Sequence, residues 1–539
     1  MNTQRNISQQ QQDASTATLD SSSTSNSDND SLSLRRKGNE SQWIKILRSF
    51  SFKANAYQIL NLDSTESSSS LGVIHGLRVI TMAWIIMGHT IGLVNPTIHS
   101  NVFAAEKMYT DFLVQGLLNA TLSVDTFFFI SGLLTVYVSW KKLKDRKSIP
   151  VAQLMILRYF RLTPPYLAVL AFSFVFPFIS SGPLWRETVE PITESCFHSW
   201  WTNLLYVNNF VKTDKLCLMH SWYLSNDMQM HLFAIAFLIL LLKSKLLAFL
   251  FLSASMVSCT AYAAVQTFVN DYPPTIVSTS PAVEDRWHYI LDFYYKPWPH
   301  LPSYCIGLIV GYTLANRSRL GLTRAQNRTT WFFVGLIAFI VLYGVYPWNL
   351  GWKISPEVTA LYSSTFRTLW TACCAWLTIA LLTENKNCVA AQVLSWKGLL
   401  PFSRLTYMAF LIHPFVIWFY SGSLRERFTA NNFNYFHLFL GHYLLTYMIS
   451  FVFGVCFESP FMSVIKILLE PKKPKAINEV HYRTEASKAR KTSKTTHPIY
   501  QMTAVTEPTV NYTPVITSRL APATVGVSPS ILYFNTNTV

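Results

Sequence analysis

The chain reads as an all-α polytopic membrane protein of about ten transmembrane helices with disordered cytoplasmic tails, on three observations of composition and pattern. Half of its 539 residues are hydrophobic and 13% are charged, for a mean hydropathy of +0.24. Roughly the first 70 and last 70 residues are polar, so the middle is richer in apolar residues than these averages. Finally, Lys and Arg gather between hydrophobic segments in alternate connections, the pattern of cytoplasmic loops.

In chain order, residues 1–70 form a Ser, Gln and Asn-rich tract with little hydrophobic content before Trp43. Such a segment cannot bury enough apolar surface to offset its ordering entropy, so it is expected to be disordered. Polar residues follow Met1, no signal peptide is expected, and the first span is left to direct insertion. The transmembrane domain occupies 71–470. Its spans run roughly 73–94, 122–140, 162–180, 222–242, 246–268, 300–316, 331–347, 361–382, 404–420 and 436–457, each long enough for a hydrocarbon core once tilt is allowed. A disordered basic tail follows from 471 to 539.

Lys141, Lys142, Lys144, Arg146 and Lys147 follow the second span, and Arg317, Arg319, Arg324 and Arg328 follow the sixth. Both groups belong in the cytoplasm, and ten spans then place both termini there. The net charge of +16 is therefore mainly topological. Nucleic-acid binding calls for basic residues interleaved with exposed aromatics on a soluble surface, whereas the aromatics here lie in or beside spans. No internal repeat supports an inverted-repeat transporter.

Ionisable residues within spans are costly and face a bundle interior or a wet cavity. Arg78 and His89 stand eleven positions apart in the first span. At about 100° per residue they return to nearly one helix face, about 16 Å apart along the axis. Asp227 lies a turn inside the fourth span, near Gln229 and His231, and is expected to pair with the Arg78–His89 stripe. Arg158 and Arg161, three apart at the cytoplasmic entrance of the third span, direct two guanidinium forks to one patch. Phosphate is the natural partner of such forks, and plain cytoplasmic anchoring is the alternative. His413 is mid-span and precedes Pro414, which frees a backbone carbonyl.

Phe128 and Ser131 lie in an aromatic run followed by small residues, a surface that lets a helix or acyl chain approach closely. Gly307 and Gly311 suit the same close packing, and Asp125 is read as a helix N-terminal acid. Trp222 and Tyr223 open the fourth span after an aromatic and amide-rich outer stretch from Trp200 to Asn209. Cys196 and Cys217 flank that stretch, where an oxidising compartment would let them bridge. The remaining six cysteines fall in spans or on the cytoplasmic side and are expected to be reduced. No closely spaced Cys or His pairs suggest a metal, haem or iron–sulfur site.

Three ordered motifs carry a family resemblance. LGVIHGLRVITMAWIIMGHTI from Leu71, FFFISG from Phe127 and RYFR from Arg158 resemble the three signatures of the acyltransferase 3 family of membrane acyltransferases. CFHSWWTNLLYVNNF from Cys196, SWYLSNDMQM from Ser221, KPWPHLPSYCIG from Lys296 and SRLTYMAFLIHP from Ser403 resemble its nose resistant to fluoxetine branch, over roughly residues 45–465. That branch commonly carries a Cys-containing extracellular domain and an extra span ahead of this core, where the present sequence has the Ser-rich tract. His300 stands where such proteins usually show Arg, and His231 where they show an aromatic.

The resemblance implies transfer of an acyl group from cytoplasmic acyl-CoA to a hydroxyl or amine acceptor, a lipid or small molecule, at the outer or luminal face. It implies His89 as general base with Arg78 and Asp227 in the catalytic set, and Arg158 and Arg161 as donor-binding residues. Phe128, Ser131, Trp222, Tyr223 and His413 would line the pocket. Acyl-CoA would be a substrate, with no bound cofactor and no metal. Membrane lipids are the expected surroundings, and the plasma membrane and endoplasmic reticulum both fit. A lipid or small-molecule transporter that leaves the thioester intact is the alternative from another class.

Overall fold

The computed structural model describes residues 41–62, 71–93, 96–144, 149–276, 283–317 and 319–469. Residues 1–40 and 63–70 of the expected disordered tract 1–70, the tail 471–539, and the basic residues Arg146 and Lys147 lie outside them. Among the described residues the fold is helical, with one isolated bridge between His99 and Phe428. Its main helices are α1 (Gln42–Ser49), α2 (Phe52–Leu60), α3 (Gly72–Gly92), α4 (Leu122–Leu143), α5 (Val151–Val175), α6 (Trp185–Leu204) and α7 (Trp222–Lys243). There follow α8 (Lys245–Val269), α9 (Leu301–Asn316), α10 (Arg324–Tyr343), α11 (Pro356–Thr383), α12 (Leu400–Ser423), α13 (Asn432–Phe453) and α14 (Ser459–Leu469).

Nine helical segments among the described residues are long and apolar enough to cross a membrane. The chain is a multi-pass membrane protein. The remaining expected span, 300–316, is α9, whose 16 residues rise only about 24 Å.

Three expectations need correction. Residues 1–70 are not uniformly without structure, because α1 and α2 form within them. α1 exposes Trp43, Ile44 and Leu47 beside Lys45 and Arg48, a short amphipathic helix suited to a membrane interface. α2 is held to the core by Arg404, whose Nη1 donates to the carbonyls of Gln58, Ile59 and Asn61 at 2.8–3.0 Å, satisfying the helix C-terminus. The third span begins at Val151 rather than near 162, and carries Pro164 and Pro165 inside it. Arg158 and Arg161 therefore lie within the helix, not at its entrance. The stretch after residue 180 is largely α6, which accommodates Pro191 and several acids.

α12 is the hub of the bundle. It packs against α3, α5, α6 and α13, and its apolar window is 78% buried, against 11% for α10 and 17% for α8 on the periphery. α4 and α9 pack together most extensively. Gly132 of α4 lies against the Tyr304 carbonyl, and Gly307 of α9 against that of Phe129. A Cβ at either position would collide with backbone, which is why small residues recur on both helices.

Candidate functional site

α3 runs unbroken through both Arg78 and His89, so their expected common face is present. At its far end His89 Nδ1 lies 2.8 Å from His413 Nε2, the rings stacked at an interplanar angle of 18°. His413 is fully buried, and its Nδ1 lies 3.1 Å from the Ala409 carbonyl. A carbonyl can only accept, so His413 Nδ1 carries the proton and its neutral ring presents a lone pair at Nε2. That lone pair takes the proton of His89 Nδ1. Neutral His89 is thereby left with an unprotonated Nε2, on a ring that is only partly buried.

A third imidazole stands beside this pair. His220, on the turn Met219–Ser221, lies edge-on to His413 at 5.9 Å and packs against Phe410 at 5.5 Å. It is 5% exposed, yet neither ring nitrogen is hydrogen-bonded; the Leu411 backbone approaches it without hydrogen-bond geometry. Among the described residues no three His, Cys, Asp or Glu side chains are arranged to hold a metal ion. Sequence reasoning missed His220. Its nearest local signal was the neighbouring Cys217, and its chain separation from both other histidines hid the cluster.

Around Arg78 the site is ionic. Asp227 does not pair with the Arg78–His89 stripe as expected. It is salt-bridged through Oδ2 to Arg158 and accepts from Ser131 Oγ at 2.6 Å through Oδ1. Arg158 also donates to Ser131 Oγ at 3.0 Å and to His231 Nδ1 at 3.3 Å. The start of α5 at Val151 explains the difference, because it brings Arg158 deep enough to meet α7. Arg161, one turn on, lies within electrostatic reach of Arg158, Asp227 and Glu458. Arg78 reaches His75, Tyr223 and Glu458 in the same way. Glu458 ends the π-helical turn Gly454–Glu458, and sequence reasoning did not single it out. π-turns inside helices are frequent at functional sites.

Aromatic rings join the two regions. Phe128 packs on Tyr223 at 4.5 Å, Tyr223 on Phe410 at 5.1 Å and Phe410 on His413 at 5.9 Å. Trp222 instead turns toward Tyr295 and His300, at 5.2 Å from each. There Asp125 stands in the first turn of α4, as the sequence suggests for a helix N-terminal acid, but it also has partners from other helices. It is fully buried, 3.0 Å from His300 Nδ1 and 3.8 Å from Arg367 Nε. Arg367 was not foreseen, since nothing near it in sequence marks a partner for a buried cation.

Cys196 and Cys217 form a disulfide. The amide-rich stretch folds over the start of α7. Asn203 donates to the Cys217 carbonyl at 2.8 Å, Asn208 to Ser221 Oγ at 2.7 Å and Asn209 to Asn226 Oδ1 at 2.6 Å. Lys296 Nζ donates to the Asn209 carbonyl at 2.8 Å. Burial pushes the Lys296 pKa below the ordinary lysine range, against the pull of Asp292.

These elements fall within a recognised family. The model of the acyltransferase 3 family, described as an acyltransferase domain, matches residues 72–457. The chain belongs to that family. It is 29% identical over 465 residues to nose resistant to fluoxetine protein 6 of Caenorhabditis elegans, covering 80% of this chain and 55% of that protein. It is 25% identical over 331 residues to regulator of hypoxia-inducible factor 1 of the same organism, covering 57% of this chain and 63% of that protein. The chain thus spans somewhat over half the length of these curated relatives. No solved structure gives a significant match. Membership of the acyltransferase 3 family supports a membrane acyltransferase.

Proposed function

We propose that this protein transfers an acyl group from cytoplasmic acyl-CoA to a hydroxyl or amine acceptor at the outer or luminal face, with both termini in the cytoplasm. The observation that carries the proposal is the bond from His89 Nδ1 to His413 Nε2, backed by the Ala409 carbonyl. It leaves His89 Nε2 unprotonated and free to accept, the state a general base requires. Removing the acceptor proton makes an alkoxide-like nucleophile for the thioester carbonyl. Direct transfer needs no covalent enzyme intermediate, and Ser131 is already hydrogen-bonded to Asp227 and Arg158.

Arg78 and Arg161, with Arg158, supply the cationic end of the same pocket, where donor phosphates would be held by charge-assisted contacts. Asp227 fixes Arg158 rather than touching the reacting atoms. The Phe128, Tyr223 and Phe410 rings offer the acyl chain an apolar path between the ends. Reconstituted protein supplied with labelled acyl-CoA and a panel of lipid and sterol acceptors tests the proposal. CoA release coupled to acceptor acylation, abolished in His89→Ala, is the expected result. Acylation unchanged in that variant would remove His89 as base. Movement of lipid with the thioester intact would favour the transporter.

A further inference from the structure

We propose that His220 is a further catalytic residue, donating a hydrogen bond to the thioester carbonyl oxygen as it becomes an oxyanion. The inference rests on the acyl-transfer reading above and assigns the charge that reading creates. When the acceptor oxygen bonds to the carbonyl carbon, the carbonyl π pair moves onto oxygen. Collapse returns that pair, breaks the carbon–sulfur bond and expels the CoA thiolate, which takes up the proton His89 removed from the acceptor. The transient oxyanion needs a donor aimed at it in a dry site.

The surrounding backbone is poorly placed to provide one. α3 and α12 are helical around His89 and His413, and their interior N–H groups are taken by carbonyls one turn earlier. Of the three clustered imidazoles, His413 has both nitrogens engaged and His89 presents a lone pair. His220 alone of the three brings an N–H without a partner, and a neutral imidazole has one such N–H by necessity. A buried polar side chain with both nitrogens unsatisfied is costly to keep, which a group bound in the reaction would offset.

The position of His220 is also built. Leu218 holds a left-handed conformation at φ 58°, Cys217 is tied to Cys196, and Ser221 accepts from Asn203 and Asn208. Preorganisation of this kind is what distinguishes an oxyanion donor from a ring that merely fills space.

The test compares wild type, His220→Leu, His220→Gln and His89→Gln in vesicles, with palmitoyl-CoA as donor and cholesterol and lysophospholipid as acceptors. His220→Leu should lower kcat about 10²-fold or more with KM for the donor unchanged. His220→Gln, which keeps an N–H, should recover part of that loss. A glutamine cannot act as base, so recovery separates donation from proton abstraction. An unchanged kcat in His220→Leu, with His89→Gln inactive, overturns this inference and leaves the acyl-transfer reading intact. A well-folded His220→Gln as inactive as His220→Leu likewise overturns the donor role. No CoA release from wild type removes the reading and this inference together. If His220→Leu fails to fold, His220→Phe takes its place as the variant without a donor, and the same comparison with His220→Gln decides.

Discussion

His89 and His413 meet nitrogen to nitrogen at 2.8 Å, from helices 324 residues apart in sequence. The contact makes one histidine the orienting group of the other. Replacing His413 with Phe keeps an aromatic ring in the hub helix but lets His89 choose its tautomer. CoA release should fall by about 10²-fold, while KM for acyl-CoA stays near wild type. Steady-state kinetics with a thiol-reactive reporter distinguish this from a binding defect, which would raise KM.

The Arg158–Asp227 pair gives a stability prediction. Their side chains are 16% and 8% exposed, and Asp227→Ala would strand a buried guanidinium. The loss should be about 3–5 kcal/mol, read as a lower midpoint of thermal unfolding in detergent. Replacing both residues with apolar ones of similar volume should restore much of it. A double variant no more stable than Asp227→Ala would show that Arg158 is held by other contacts.

Close approach between α4 and α9 gives a packing prediction. Gly307→Leu forces a side chain into the Phe129 carbonyl, with overpacking costs of about 1–3 kcal/mol or more. Gly335, with nothing near its would-be Cβ, is the control position and should tolerate Ala. Unfolding curves of the two variants measured side by side check the difference.

The helical bundle and the close glycine packing were legible because each depends on local pattern: apolar length for the spans, small residues at helical spacing for Gly307 and Gly311. The Arg78–His89 face was legible for the same reason, being one helix. Partners were not. Asp227 meets Arg158 rather than the Arg78–His89 stripe because the helix begins at Val151, well ahead of the continuous apolar run after Pro164 and Pro165 that marks the span in sequence. His220, Glu458 and Arg367 acquire meaning only from what other helices bring beside them, and no periodicity within their own segments carries that.

The docking of α2 shows how a distant contact yields a measurable device. Three carbonyls at its C-terminal end converge on one nitrogen of Arg404, and Asn55 donates to the Val455 carbonyl at 3.3 Å within the π-turn that ends in Glu458. Arg404→Met keeps much of the aliphatic stem and removes the donors, so α2 should detach without unfolding the bundle. Cleavage between Asn61 and Leu62 by a nonspecific protease should then accelerate, and the loosened π-turn should raise KM for acyl-CoA more than it lowers kcat, because Glu458 faces the arginines assigned to donor phosphates. Faster cleavage with unchanged KM would separate the N-terminal helices from the donor site.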